Sequence, residues 1–312
     1  MFVNGSFGST VLVWVLALVN YLFNRNWVFY LLGRVNREGR FIKSVLLTYA
    51  ADDNYAKMFA FESWWEGLKW RPYLIGVFRQ NGKWGLTFVV AARDSDFVNK
   101  SNAEEMKAMA ARMEEIRCLM GAERATYGGA LPAYLPRVGI AIAGWEKETT
   151  VAVLTRAIEE FAQTGSNEEF AQTGSKQREC VVIPHGKNSI ENELARRVQT
   201  SGIDVYAFDW REGHWPAQAV GRPIIFLVIA RGVLGKWSGS IPNGSIVLHE
   251  IYPPLESNDS ILASLKKRDC VVFQVAGTKG DAWPKFPGVY AGGLPCCAGW
   301  EDPNMELWLP ML

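Results

Sequence analysis

The stretch from Glu179 to Arg211, ECVVIPHGKNSIENELARRVQTSGIDVYAFDWR, constrains the fold more than any other part of the chain. Cys180–Ile183 is a short apolar, β-branched run of the kind that makes a buried strand. Pro184-His185-Gly186-Lys187-Asn188 breaks it. Ser189–Thr200 then sets Ile190, Leu194 and Val198 on one helical face, Gly202 closes that helix, and Ile203–Phe208 is a second apolar strand ending in Asp209. Strand, tight loop, helix and strand in this order open a dinucleotide-binding βαβ unit. In such a unit the loop and the helix N-terminus hold phosphates, and an acidic residue after the second strand holds a ribose hydroxyl.

On this reading His185, Gly186, Lys187, Asn188 and Ser189 face the phosphates, while Asp209, Trp210 and Arg211 face the adenosine ribose. The usual loop carries three glycines, for the tight turn, for backbone approach to the pyrophosphate and for close helix packing. Here there is one, and His185, Asn188 and Glu191 stand near the glycine places. Two readings follow. In one, the loop still binds a nucleotide and Lys187 offsets phosphate charge. In the other, Asn188 and Glu191 form a capping box for a helix in a Rossmann-like sheet that binds none.

The chain of 312 residues, 49% hydrophobic and 21% charged, is long and apolar enough for one large or two medium domains. A net charge of +1 gives no nucleic-acid footprint. Five cysteines (Cys118, Cys180, Cys270, Cys296, Cys297) without CxxC spacing, and three scattered histidines, predict reduced thiols, a cytoplasmic compartment and no metal site. Trp64, Trp65, Trp70 and Trp84 read as packing or groove-lining residues.

Thr10–Phe23 is apolar apart from Asn20, and Arg25, Arg34, Arg37, Arg40 and Lys43 follow it. That pattern suits attachment to the inner face of a membrane through residues 10–32, by spanning or by association. It suits equally a buried core helix, and a start codon placed too far upstream is a third, lesser reading. Trp27–Leu32 reads as a strand, and Asn81-Gly82 between Leu74–Phe78 and Trp84–Ala91 predicts a hairpin. Ala103–Met120 reads as a helix whose methionines fill a core, and Thr149–Gln163 as a second amphipathic helix.

EEFAQTGSN (159–167) is repeated as EEFAQTGSK (168–176), a tandem insertion of the kind tolerated at a surface connection. Deleting Glu168–Lys176 is expected to move the thermal midpoint by only a few degrees, because halving a loop changes its closure entropy by about 0.6 kcal/mol. Phe170 anchored in a core would reverse that result. Beyond Asp209, the apolar runs Pro223–Ala230, Ser245–Ile251 and Cys270–Ala276 continue the alternation of strands and helices. The expected fold is α/β: a Rossmann-like parallel sheet with helices on both faces, plus an N-terminal α/β region and the apolar segment. The expected division is 1–26, 27–158 on the substrate side, 159–177 as linker and 178–312 as nucleotide-binding domain.

From about Trp27 to Trp300 the order of features resembles long-chain acyl-(acyl-carrier-protein) reductases. The matching pieces are VFYLLGR, MAARMEEIRCLMGAERATYGGALPAYL, CVVIPHGKNSIENELARRV, SIVLHEIYPP and CVVFQVAG. The resemblance implies a shikimate-dehydrogenase-like Rossmann domain, NADP or NAD as cofactor, an acyl thioester or similar lipid-like substrate, a cysteine acyl intermediate and a fatty aldehyde product. Cys296 and Cys297 lie in the region of the family's nucleophile, although a gapless match puts a glycine at its place. Pro295 before the pair would suit a helix start, whose dipole would lower a thiol pKa; the bland alternative is a pair of small buried hydrophobes. His249 and Glu250, at a strand end, are weaker acid–base candidates. A catalytically degenerate binding or scaffold protein is the rival reading.

Overall fold

The structure is a computed structural model that describes residues 7–50, 56–57, 59–163, 180–185, 189–230, 232–251 and 254–312. The second copy of the repeat, and residues 186–188 of the expected phosphate loop, lie outside the described residues. The chain divides into two units. The first comprises 1–148, 280–286 and 294–304, and the second 149–279, 287–293 and 305–312. The division falls at Glu148/Thr149 rather than in the repeat, and two stretches of the expected nucleotide-binding domain, 280–286 and 294–304, return to the first unit.

In the first unit, helices α1 (Phe7–Phe23) and α2 (Asn26–Gly39) precede a sheet of strands β1 (Ile42–Tyr49), β2 (Tyr73–Gln80), β3 (Lys83–Val90) and β4 (Arg124–Tyr127). Strand β1 runs parallel to both β3 and β4, β2 pairs antiparallel with β3, and the short strand Asp281–Trp283 pairs antiparallel with β2 at the edge. The β2–β3 hairpin turns at Asn81 and Gly82 with φ of 47° and 77°, the two positive values that a two-residue primed turn requires. Helix α3 (Ala103–Met120) connects β3 to β4 and ends at Gly121 in the left-handed conformation. Its Met106, Met109, Met113, Ile116 and Met120 are fully buried in the main core, so the methionines are filler, as the spacing implied.

Trp27–Leu32 is helical, not a strand. Aromatic and β-branched residues favour a strand locally, but the positions that become buried, Val28, Phe29, Gly33 and Asn36, recur at helical spacing. Gly33 lets α2 meet α3: a Cβ there would lie 1.9 Å from the Leu119 carbonyl oxygen. The buried Asn36 side chain joins the end of α2 to the start of β1 and the end of α3.

In the second unit helix α4 (Trp145–Gln163), which begins in the first, precedes β5 (Cys180–His185), α5 (Ser189–Thr200), β6 (Asp204–Asp209), β7 (Ile225–Val228), β8 (Ile246–His249), α6 (Ser260–Lys266) and β9 (Val271–Gln274). These five strands form one sheet in the order β6-β5-β7-β8-β9, with every pair parallel. This is a doubly wound arrangement, 2-1-3-4-5 in chain order, with its switch point between β5 and β7. The protein is therefore α/β with parallel strands flanked by helices. The central strands are buried along their whole length, which explains their near-continuous apolar runs. Phe161, in the first copy of the repeat, is buried with its ring 4.7 Å from that of Phe273.

Candidate functional site

Ligands of doubly wound sheets bind outside the carboxyl ends of the strands, at the switch point. In the second unit that edge carries His185, Asp209, His249, Glu250 and Gln274. The β5–β6 register sets His185 opposite Asp209, so the expected ribose carboxylate stands beside the expected phosphate loop. Asp209 also organises its own turn. Its Oδ1 accepts the Arg211 N–H at 2.8 Å and the Glu212 N–H at 3.4 Å, which, with the charge of His185, holds the carboxyl below its usual range. Its carbonyl accepts the Gly213 N–H at 2.7 Å, and a Cβ on Gly213 would sit 2.4 Å from that oxygen. The Arg211 guanidinium lies over the Trp210 ring at 5.1 Å, and Trp210 passes its carbonyl to the Trp237 indole at 2.9 Å. Asp209, Trp210 and Arg211 thus form a rigid charged turn at the end of the edge strand.

Helix α5 begins at Ser189, directly after residues 186–188. Glu191 in its first turn is only 2% exposed, so a carboxylate is packed at the helix end where a phosphate would lie. Further along the edge, the His249 imidazole is buried, and burial lowers its pKa so that it is neutral near pH 7. Its Nδ1 is 2.9 Å from Gln274 Oε1. Because Gln274 Nε2 donates to the Ile251 carbonyl at 3.3 Å, Oε1 is the acceptor and His249 carries its proton on Nδ1. Burial pushes the neighbouring Glu250 carboxyl up to about 7. His249 is the satisfied strand-end residue of the blander reading, whereas Glu250 titrates in the range a general acid or base requires.

The cysteine pair belongs to the first unit. No helix starts at Pro295: its carbonyl accepts the N–H groups of Ala298 and Gly299 at 2.8 and 3.1 Å, which closes a single turn. The expected lowering of a thiol pKa by a helix dipole therefore has no structural basis. Cys296 is buried and Cys297 half-buried, and neither is in a disulfide. Two buried hydrogen bonds hold the turn, from Gln80 Nε2 to the Trp300 carbonyl at 2.9 Å and from Trp300 N–H to Gln80 Oε1 at 3.1 Å. Gln80, next to the hairpin turn, gave no signal in the sequence. Gly128 lies where Thr48, near the end of β1, and Cys297 converge: a Cβ there would be 3.2 Å from Thr48 Oγ1 and 3.6 Å from Cys297 Sγ. Beside them the Tyr49 hydroxyl donates to Asp94 at 2.7 Å and accepts the Ala130 N–H at 3.3 Å. Gly128 thus lies beside the cysteine turn just beyond the carboxyl end of β4, while Gly129 leaves room for the Tyr49 ring.

Among the described residues no three His, Cys, Asp or Glu side chains are arranged to hold a metal ion. No protein-family model, curated protein or solved structure matches the chain.

Proposed function

We propose that the protein is an NAD(P)-dependent oxidoreductase that reduces an acyl thioester to an aldehyde, with Cys297 as the acyl acceptor. The carrying observation is the half-buried Cys297, packed on the cluster of Leu46, Phe78 and Trp300 with its sulfur close to Gly128, just beyond the carboxyl end of β4. In this reading the Cys297 sulfur attacks the thioester carbonyl and expels the carrier thiol, and release of the aldehyde restores the thiol. Cys296, more deeply buried, is then a packing residue. The described residues of the second unit fit the ribose end of a dinucleotide. Asp209, ionised, keeps Oδ2 for a ribose hydroxyl, and the exposed Arg211 can meet a 2′-phosphate, so the cofactor is NADP or NAD. A reduced nicotinamide would be the source of the hydride that the reduction consumes.

A second reading, a binding or scaffold protein without catalysis, draws on the carboxylate of Glu191 packed at the start of α5. Incubation with NADPH or NADH and a long-chain acyl thioester separates the two. The enzymatic reading expects aldehyde, lost by roughly a thousandfold or more in Cys297→Ser and retained in Cys296→Ser. Absence of turnover together with absence of nucleotide binding by calorimetry would leave the scaffold reading standing.

A further inference from the structure

No single helix among the described residues is long and apolar enough to cross a membrane, and α1 and α2 meet at a bend of 78°. Helix α1 nevertheless has no charged residue, and an apolar stripe on it faces outward. Trp14, Leu18 and Leu22 are 59, 58 and 46% exposed. Beyond the bend a second stripe, Trp27, Leu31 and Val35, is 64, 50 and 60% exposed on α2. A helix apolar on every side is stable in water only when it is covered.

The inward face of α1 is fixed by asparagines. Asn20 Oδ1 accepts the Leu74 N–H at 2.8 Å and its Nδ2 donates to the Leu74 carbonyl at 2.5 Å; Asn24 Nδ2 donates to the Pro72 carbonyl at 3.1 Å. These bonds tie α1 to the start of β2, so the opposite stripe is held outward. Beside it opens a cleft of about 480 Å³, into which Asn20, Tyr21, Asn24, Arg25, Arg71 and Tyr73 project. Arg25 and Arg71 are exposed and form no ion pair among the described residues. The Tyr73 hydroxyl is buried beside the Asn20 amide without a hydrogen bond of good geometry. Over the first 49 residues Arg25, Arg34, Arg37, Arg40 and Lys43 stand against one acid, Glu38.

We infer that the α1–α2 elbow is a monotopic docking surface for anionic phospholipid: the two apolar stripes enter the acyl boundary, and the Arg25–Arg71 cleft holds a phosphate headgroup. The occupant follows from the conjunction of outward aromatic and aliphatic side chains, a basic excess and paired arginines in one cleft. This inference goes beyond the proposed reaction and does not depend on it.

Flotation of the full chain with vesicles tests it. The protein should float with phosphatidylcholine vesicles containing about one-third phosphatidic acid and much less with phosphatidylcholine alone. Removing both arginines (Arg25→Ala with Arg71→Ala) should weaken anionic binding about fivefold for each charge and narrow the preference. The pair Leu18→Asp and Leu31→Asp, at exposed positions, should abolish flotation with an unchanged melting temperature. Failure of the wild-type chain to float with either vesicle overturns the inference, as does equal binding to both. It is overturned equally if inorganic phosphate titrates the arginine cleft without any vesicle binding. A stable dimer in solution that the aspartate pair converts to monomer would assign the stripes to a second copy instead.

Discussion

Replacing Asn36 with leucine will destabilise the protein by about 3–5 kcal/mol, although the two side chains share the same branching at Cγ. Asn36 is 1% exposed. Its Oδ1 accepts the Ile42 N–H at 2.6 Å, and its Nδ2 donates to the carbonyls of Ile42, Met120 and Gly121 at 3.0, 3.0 and 2.9 Å. Leucine fills the space but strands these buried groups, each at about 1–3 kcal/mol, with partial relief by rearrangement. Because Asn36 joins three elements, the loss falls on the main core of the first unit and not on one helix end. Urea denaturation at constant pH measures it. A shift below about 1 kcal/mol would mean that the strand and helix ends find other partners.

Asn36 and Gly33 also show why α2 does not follow its local sequence pattern. The strand pattern of Trp27–Leu32 is a local preference, whereas the buried set at helical spacing is decided by where α3 lies, and one residue at a time cannot display that. The parallel sheet was legible because its strands are buried on both faces and carry unbroken apolar runs between Gly- and Pro-marked turns. The hairpin was legible because two positive φ values leave little choice beyond Asn-Gly. At the candidate site, an acidic residue closing the second strand could be read from the run Ile203–Phe208 before Asp209, but that β5 runs on through Pro184 to His185, which the local sequence marks as a break, and pairs His185 with Asp209 could not. The Gln80 clamp could not, since its partner is 220 residues away. The helix expected at Pro295 failed for a related reason: proline suits the first turn of a helix and equally a lone turn, and the anchoring of Trp300 favours the turn.

Converting Glu250 to glutamine will raise stability above neutral pH by up to about 3 kcal/mol and remove a pH dependence present in the parent. The Glu250 carboxyl has a pKa of about 7 in the folded chain, against an ordinary value of 4.5, because burial disfavours its charge. Below 4.5 the group is protonated in both states and exerts no drag. As pH rises from 4.5 towards 7 the unfolded chain gives up the proton while the folded chain keeps it, so stability falls through that window and is level above it. Glutamine cannot titrate, so the slope disappears. Thermal midpoints at closely spaced pH values report it, and parallel curves for parent and variant would place the Glu250 carboxylate in water. Should aldehyde formation also be found, the same variant asks whether this proton serves the reaction.

The alternation of 280–286, 287–293, 294–304 and 305–312 between the two units has a consequence for how the molecule is made. Trp300 is fully buried in a cluster that joins Leu46 and Phe78, from the first half of the chain, to Leu294 and Ala298 near its end. A ribosome that has finished β1 to β4 has therefore released a sheet with one hydrophobic hollow still open. Folding from the N-terminus cannot close the first unit before the second has been synthesised. Nascent chains will carry an unfilled pocket beside Phe78 until residue 300 emerges, a natural hold point for a chaperone and a barrier to expressing the first unit alone.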